Sequence, residues 1–381
     1  PGAVLLTVGA TCAGAIYNNT VATKSTNEPF PYCSGNAVAP IWFRFVAPAS
    51  GAVRISTDVG GGNSMDDTKI GLFSVGNVND YSSFNIIACD DNGGSVLGFG
   101  YMSVMYTTGL SAGSTYYIAV DKGNAFSLGT FCLTVTELAS SMLSSTNTCA
   151  SDYQELAFNN NTNFTGWLSL LDASSKLVAL VKGQANTDAS LYEARQNIYS
   201  GPVRNANSTF YLNRSFSISH PTASNVQVKL FFLNIELAAL TAADPSVNLS
   251  NLSASKQTNG GTTCFGTFSP NNGSLSSLMQ TENGTIGGVS WIGFTTPTFS
   301  NFYLNKTGST LPISLVYFNG KKVTSGNQLY WKVNCSNGNS GFEVERSADG
   351  ASFSKLESIS SGADNCLLPF AYTDSKPLNG M

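Results

Sequence analysis

Short runs in which apolar and polar residues alternate recur along this chain of 381 residues. Gly, Pro, Asn or Asp lies beside each run, and turns favour these residues. In the first third of the chain the runs cover residues 41–46, 52–57, 70–73, 103–106, 116–120 and 131–135. A period of two is typical of half-buried strands, and six or more such strands make a β-sandwich. The sequence therefore predicts an all-β protein built of tandem β-sandwich domains.

The composition excludes several other classes of protein. Charged residues make up only 11% of the chain, but 42% of the residues are hydrophobic and 11% are aromatic, which argues against disorder. The net charge is −4 and no basic block occurs, so nucleic acid is not an expected partner. No run of about 18 apolar residues occurs, so no membrane-spanning helix is expected.

Cysteine usage indicates an oxidising compartment. The eight cysteines are Cys12, Cys33, Cys89, Cys132, Cys149, Cys264, Cys335 and Cys366. None belongs to a C-x-x-C pair and His220 is the only histidine, so the pattern does not predict a zinc site. Disulfides of an extracellular protein are the favoured interpretation, and free buried thiols of a cytosolic protein are the alternative.

Two Ser/Thr-rich stretches, residues 139–148 and 306–310, resemble linkers and divide the chain into three segments. The segments are residues 1–137, 149–307 and 311–381. They hold four, two and two cysteines, so an even number falls in each. We therefore predict the pairs Cys12–Cys33, Cys89–Cys132, Cys149–Cys264 and Cys335–Cys366. One short helix is predicted in the second segment at residues 235–243, with Asn234 as its N-cap and Pro245 after its end.

The first and third segments resemble known modules. Residues 3–9 (AVLLTVG), 41–45 (IWFRF), 88–94 (ACDDNGG) and 110–118 (LSAGSTYYI) resemble a domain of secreted Bacteroidota proteins. That domain is related to the bacterial pre-peptidase C-terminal domain, a jelly-roll-like β-sandwich. Residues 311–315 (LPISL), 342–350 (FEVERSADG) and 372–374 (YTD) resemble the fibronectin type III-like module of type IX secretion cargo. The middle segment is similar to a β-rich module of such proteins through residues 210–216 (FYLNRSF).

These resemblances imply a multidomain bacterial protein that is secreted or displayed on the cell surface. The third module shows five strand-like runs, and a seven-stranded sandwich needs two more. Either the natural chain continues past Met381 or a neighbouring chain supplies the missing strands. The expected partners are a cell-surface or extracellular protein, a glycan, or a second copy of the chain.

A calcium site is the sharpest candidate for bound chemistry. Asp66 and Asp67 precede one predicted strand, and Asp90, Asp91 and Asn92 follow another. Carboxylate and amide oxygens are ligands that calcium prefers, and domains related to the first segment sometimes bind calcium. We expect the two loops to converge, with Asp58 or Asp121 assisting. Solvated turns are the alternative, because Asp, Asn and Gly are favoured in turns in any case. No other cofactor is expected.

Sugar binding through exposed aromatic rings is a second candidate, with Tyr81, Phe84, Tyr101 and Tyr106 available. Most aromatic residues at alternating positions belong to cores instead. The consecutive run around Trp42 and Phe43 cannot be exposed on both faces of a strand, because successive side chains point in opposite directions.

Catalysis is not predicted. A Ser-His-Asp triad would have to use His220, which precedes Pro221 at a strand end and reads as a turn residue. The predicted function is that of a non-enzymatic extracellular adhesin or structural module of a bacterial cell-surface protein. One alternative is a filament subunit whose third module is completed by a neighbour. The other is the accessory region of a secreted hydrolase.

Overall fold

The computed structural model describes residues 2–12, 17–29, 37–60, 63–94, 101–123, 128–146, 164–184, 192–206, 209–257, 275–306, 314–334, 340–348, 352–361 and 369–378. The strands of the first segment are β1 (Val4–Leu5), β2 (Tyr17–Asn18), β3 (Ile41–Val46), β4 (Val53–Ser56), β5 (Thr68–Val75), β6 (Phe84–Asp90), β7 (Val104–Thr107), β8 (Thr115–Lys122), β9 (Thr130–Phe131) and β10 (Thr134–Glu137). Those of the second are β11 (Trp167–Leu171), β12 (Leu177–Lys182), β13 (Glu193–Ile198), β14 (Arg204–Ala206), β15 (Thr209–Ser219), β16 (Val226–Leu233), β17 (Leu252–Gln257), β18 (Leu275–Leu278), β19 (Glu282–Ile286), β20 (Val289–Thr296) and β21 (Asn301–Lys306), with the helix α1 (Asn234–Ala243) after β16. Those of the third are β22 (Ser314–Val323), β23 (Gly326–Asn334), β24 (Ser340–Ser347), β25 (Phe353–Ser361) and β26 (Phe370–Asp374).

The first segment is a sandwich of two sheets. Strands β1-β3-β8-β5-β6 form one sheet, and β10-β4-β7 form a three-stranded sheet packed against it. Alternation decides what is buried: Phe43 and Phe45 of β3 meet Ile55 of β4 and Met105 of β7 in the shared core. The strands predicted around residues 41–46, 52–57, 70–73, 103–106 and 116–120 are all present, and the sixth predicted run, 131–135, is divided between β9 and β10. The prediction of an all-β sandwich fold is confirmed.

The second segment forms another sandwich. One layer is β11-β12-β16-β20-β19, and the other is β13-β15-β21-β17-β18, with β14 paired to β15. Its core packs Leu168 of β11 and Val228 of β16 against Phe216 of β15 and Phe302 of β21. The helix α1 adds Leu240, its fully buried residue, to the same core.

The first two sandwiches share a sheet. Strand β6 pairs in parallel with β11, with Ala88 opposite Trp167, so the two layers merge into one sheet of ten strands. The two main cores lie on opposite faces of this sheet, since Ala88 belongs to the first core and its neighbour Cys89 to the second. Strands near the junction are buried on both faces, which explains the unbroken apolar run at residues 177–181.

A third apolar cluster fills the angle between the two sandwiches. Tyr106 of β7 lies in it with Leu180 and Phe231 of the second segment. The Tyr106 backbone N–H donates to Ser169 Oγ at 2.8 Å, and its hydroxyl donates to the Ser175 carbonyl oxygen at 3.0 Å. The division between residues 137 and 149 stays a prediction, but these contacts hold the two segments against each other.

The stretch predicted as the first linker is packed rather than free over its described residues. Residues 140–142 form a short 3-10 helix, and Leu143 is fully buried. The Ser140 N–H donates to the Gly287 carbonyl oxygen at 2.8 Å, and the Ser144 carbonyl accepts from Arg214 at 2.6 Å. This part of the chain therefore closes the junction instead of spacing two independent domains.

Helix α1 begins one residue earlier than predicted. Leu233 occupies the N-cap position, and its backbone N–H donates to Glu236 Oε2 at 2.8 Å. Asn234, predicted as the cap, instead accepts a hydrogen bond from Ser290 Oγ at 2.7 Å. Glu236 at position N3 thus satisfies the N-cap N–H, which is the reciprocal half of a capping box, and its negative charge is favourable at the helix N-terminus.

The third segment has a core of its own. Strands β22-β23-β26 form one sheet and β24-β25 form a second, two-stranded sheet. Trp331 of β23 stacks on Phe370 of β26 with ring centroids 5.7 Å apart, and Phe342 of β24 packs edge-on to Trp331 at 5.9 Å. The Arg346–Asp374 ion pair, at 3.0 Å, ties the two sheets together.

The disulfide pattern of the first segment differs from the predicted one. Cys12 is bonded to Cys132, so the predicted pairs Cys12–Cys33 and Cys89–Cys132 are wrong. Cys89 is also disulfide-bonded. The remaining cysteines, Cys33, Cys149, Cys264, Cys335 and Cys366, lie outside the described residues. An even number of cysteines in a segment does not show which of them pair. Cys12 and Cys132 are 120 positions apart, and strand pairing brings these two ends of the segment together.

Peptide mapping under non-reducing conditions is expected to recover a fragment that joins Cys12 to Cys132. The double variant Cys12→Ser/Cys132→Ser should lose roughly 2–4 kcal/mol of unfolding free energy, since the closed loop is long. Urea titration of both proteins measures the difference. Recovery of a Cys12–Cys33 or a Cys89–Cys132 fragment would contradict the structure.

Candidate binding surfaces

The two predicted acidic loops do meet at one end of the first sandwich. Strands β5 and β6 are antiparallel, so the start of β5 lies beside the end of β6. The Ser103 hydroxyl lies between them, 2.6 Å from the Thr68 carbonyl oxygen, 3.3 Å from that of Asp90 and 3.2 Å from that of Asp91. Of the five predicted calcium ligands, Asp66 is exposed and Asn92 is half-buried. The other three, Asp67, Asp90 and Asp91, are buried.

Asp90 has the most perturbed environment of this group. Its Oδ2 accepts hydrogen bonds from the backbone N–H groups of Gly93 at 2.9 Å and Val104 at 2.8 Å. Its Oδ1 is buried and has no hydrogen-bond partner among the described residues. Burial, only partly offset by these two hydrogen bonds, raises the pKa of the carboxyl to about 8. The turn must carry glycine here, because a Cβ at Gly93 would lie 2.8 Å from Asp90 Oδ2.

The other carboxylates are distributed around this end rather than gathered at one point. Asp121, proposed to assist, accepts from the backbone N–H groups of Val38 at 2.7 Å and Ala39 at 2.9 Å. Asp58 lies beside Gly94, and Asp67 beside Gly123. No group of three or more His, Cys, Asp or Glu side chains in the described ranges is arranged to hold a metal ion. The calcium site therefore stays a prediction.

A groove lined by aromatic rings lies on the opposite face of the first sandwich's larger sheet. Phe84 is central to it: its ring centroid is 5.4 Å from those of Trp42 and Tyr81, and 6.1 Å from that of Tyr117. Phe73 is fully buried beneath, 5.3 Å from Trp42. The groove encloses a cavity of about 300 Å³. No second sheet among the described residues covers this part of the face.

Two of the four predicted sugar-binding aromatics, Tyr81 and Phe84, lie in this groove. Tyr101 is exposed but lies elsewhere, and Tyr106 is buried between the two sandwiches, where burial raises its pKa to about 12. The sequence analysis missed Tyr117. Its position was readable, because Tyr116 and Ile118 point into the core and the residue between them must point out.

His220 is the turn residue that the sequence predicted. Its Nδ1 accepts from the backbone N–H groups of Thr222 at 3.1 Å and Ala223 at 2.9 Å, and its ring packs 4.4 Å from that of Tyr192.

No helix in the described part of the chain is both long and apolar enough to cross a membrane.

The third segment carries an apolar groove between its two sheets, with a cavity of about 440 Å³. Phe318, Leu329, Trp331 and Val333 of β22 and β23 line one wall, and residues 342–345 of β24 line the other. No described residue of β25 lines it, and among the described strands β24 pairs with β25 alone, which leaves its other edge without a described partner.

Comparison with known proteins does not assign this chain to a family. No protein-family model and no curated protein matches it. Among solved structures, it is similar to a cycloisomaltooligosaccharide glucanotransferase from Paenibacillus sp. in complex with cycloisomaltoheptaose, at 12% identity and a TM-score of 0.15. The match covers 79% of this chain and 47% of that one, so this chain spans about half of that structure. At this TM-score the similarity supports neither a shared fold nor a shared activity.

The buried Asp90 carboxyl should make stability depend on pH. Its pKa is near 3.8 in the unfolded chain and about 8 in the folded protein, so between these values the folded state holds the extra proton. The free energy of unfolding should therefore fall as the pH rises from about 4 to about 8.

The variant Asp90→Asn should reduce this slope by up to about 1.4 kcal/mol per pH unit, because the amide oxygen still accepts both backbone hydrogen bonds but carries no charge. Urea unfolding at pH 5, 6, 7 and 8 measures it. Asp66→Asn, on the exposed neighbour, is the control and should leave the slope unchanged. Identical slopes for wild type and Asp90→Asn would show that the carboxyl does not titrate in this range.

Proposed function

We propose that this chain is a non-catalytic, extracellular binding region of a bacterial cell-surface protein, acting as an adhesin or structural module. The observation that carries the proposal is the aromatic groove of the first sandwich. Four of its rings, those of Trp42, Tyr81, Phe84 and Tyr117, are half-buried, and no second sheet of the described residues lies over them. Contiguous accessible aromatic surface marks binding sites, and aromatic side chains are enriched where proteins contact ligands.

The chemistry of the rest of the chain supports a binding role over a catalytic one. Two of the buried or half-buried acidic residues serve structural partners: Asp121 accepts from two backbone N–H groups, and Glu236 pairs with the buried Arg214. His220, the sole histidine, is engaged by the turn that it caps. Described cysteines are oxidised, which agrees with an extracellular setting.

Adhesion assays test this proposal. Beads coated with the chain should be retained under flow on at least one of a set of surfaces: glass, collagen, and polysaccharide films. The variant Tyr81→Ser/Tyr117→Ser should lower retention by about tenfold or more, since both rings belong to the contact surface. Tyr101→Ser, which removes an exposed tyrosine outside the groove, is the matched control. Equal retention of the double variant and the wild type, with equal melting temperatures, would refute the role of the groove.

The apolar groove of the third segment favours a second candidate function, that of a filament subunit. A strand that lies along the unpaired edge of β24 would gain backbone hydrogen bonds and place alternate side chains in the cavity, which is the β-augmentation mode of recognition. Phe318, 57% exposed, would be covered by such a strand. Under this proposal the strand comes from a neighbouring copy.

Sedimentation and electron microscopy test the filament proposal. The wild type should form linear assemblies as its concentration rises, and Phe318→Glu should remain monomeric because a charge in the cavity opposes strand insertion. Phe353→Glu is the matched control, since Phe353 is 60% exposed on β25 and does not line the cavity. A monomeric wild type at all concentrations, or equal assembly of both variants, would rule out this mode.

A further inference from the structure

We infer that the aromatic groove of the first sandwich binds an uncharged polysaccharide, with sugar rings packed on the faces of its aromatic side chains. This inference rests on the proposed binding function and names its ligand class. It is carried by four properties of the groove: the geometry of its rings, the absence of charge from its lining, the free hydroxyl groups at its surface, and its size.

The rings form a rigid floor. Phe84 is tilted or edge-on to each of its neighbours, with interplanar angles of 78° to Trp42, 67° to Tyr81 and 52° to Tyr117. Phe73 supports Trp42 and Phe84 from below, and it is fully buried. Because the rings hold one another, the accessible faces are preorganised and a ligand would meet little entropic cost of ordering them.

The described residues of the lining carry no charged side chain. They are Gly2, Ala3, Val4, Pro40, Ile41, Trp42, Val78, Tyr81, Phe84 and Tyr117. The Glu28 carboxylate accepts a hydrogen bond from the Trp42 indole N–H at 2.5 Å. Asp80 precedes Tyr81, but its Oδ1 accepts from the Ser82 N–H and hydroxyl. Arg44 is exposed on β3 and does not line the cavity. An ionic ligand would find no counter-charge in the groove itself.

Hydroxyl groups provide the polar part of the surface. Neither the Tyr81 nor the Tyr117 hydroxyl hydrogen-bonds to another side chain or backbone group in the described part of the chain, and both side chains are partly exposed. A pyranose ring presents a face of C–H groups and an edge of hydroxyl groups. The aromatic faces of the groove would pack against the C–H face of the sugar, and the phenol hydroxyls of Tyr81 and Tyr117 would hydrogen-bond to its hydroxyl edge. A purely apolar ligand would make no hydrogen bond to these phenols.

The size of the groove favours a chain of small units over a folded partner. A cavity of about 300 Å³ is at the small end of the range for small-molecule sites, which is roughly 300–1,000 Å³. A protein partner in a stable complex needs about 800 Å² of surface on each side. The groove therefore suits one or two sugar units of a longer polymer.

Affinity electrophoresis is the test. The full chain is run through gels that contain soluble uncharged polysaccharides, namely a β-glucan, a xylan, a mannan and a galactan, and through gels with alginate or heparin. We expect retardation by at least one uncharged polymer, with an affinity that does not change between low and high salt because no ion pair is formed. Tyr81→Ala and Tyr117→Ala should each weaken it by about tenfold, and Tyr101→Ala should not.

The outcomes separate this inference from the proposed function. The inference would be overturned if uncharged polymers retarded the groove variants as strongly as the wild type. It would also be overturned if only the acidic polymers bound the chain. If no polysaccharide retards the chain while Tyr81→Ser/Tyr117→Ser still abolishes adhesion, the ligand is a protein or another surface: the inference fails and the proposed function stands. If that variant adheres like the wild type, both fail.

Discussion

The buried guanidinium of Arg214 is the interaction on which the second sandwich and its junction with the first depend. Its side chain is fully buried, and a buried charge is tolerated only when it is paired and hydrogen-bonded. Nε and Nη2 contact the two oxygens of Glu236 at 3.0 and 3.1 Å, which fixes the start of α1, and Nη1 donates to Gln196 of β13. Nη2 also reaches the carbonyl of Ser144, in the stretch between the two sandwiches. One cation thus sets the relative positions of a helix, two strands and the connecting chain.

The shared ten-stranded sheet has a consequence for binding. Joining β6 to β11 covers one edge of each sandwich, which removes two edges that would otherwise invite pairing with other chains. The two cores lie on opposite faces of the joined sheet, so over the first sandwich the face that carries the second core has no second sheet of the described residues on it. The aromatic groove lies on that part of the face. Its accessibility follows from the way the sandwiches are joined, and not from the aromatic residues alone.

Sequence reasoning succeeded where a local rule governs the outcome. Strand β3 has the predicted bounds because Phe43 and Phe45 alternate with Trp42 and Arg44, and the same alternation placed Trp42 opposite the core. The turn role of His220 and the existence of α1 also follow from local signals. The meeting of the Asp67 and Asp90 loops was predictable from their positions at strand ends. The burial of those carboxylates could not be predicted, because it depends on residues 101–103. These residues hydrogen-bond to Thr68 beside one loop and to Gly94 beside the other, and no local pattern indicates those contacts.

The sequence by itself determined the all-β class, the approximate strand positions and the slightly negative net charge, because period-two alternation, turn residues and composition act locally or as sums. The tertiary structure alone decided three other things. It bonded Cys12 to Cys132, because the nearby strands β2 and β9 pair with each other, whereas an even number of cysteines in a segment does not fix which of them pair. It packed residues 139–146 into a junction, because Leu143 and the Ser144 carbonyl found partners in another segment. It gathered Trp42, Tyr81, Phe84 and Tyr117 from three strands and a short 3-10 helix into one groove, a contact set by strand order, which no local pattern encodes.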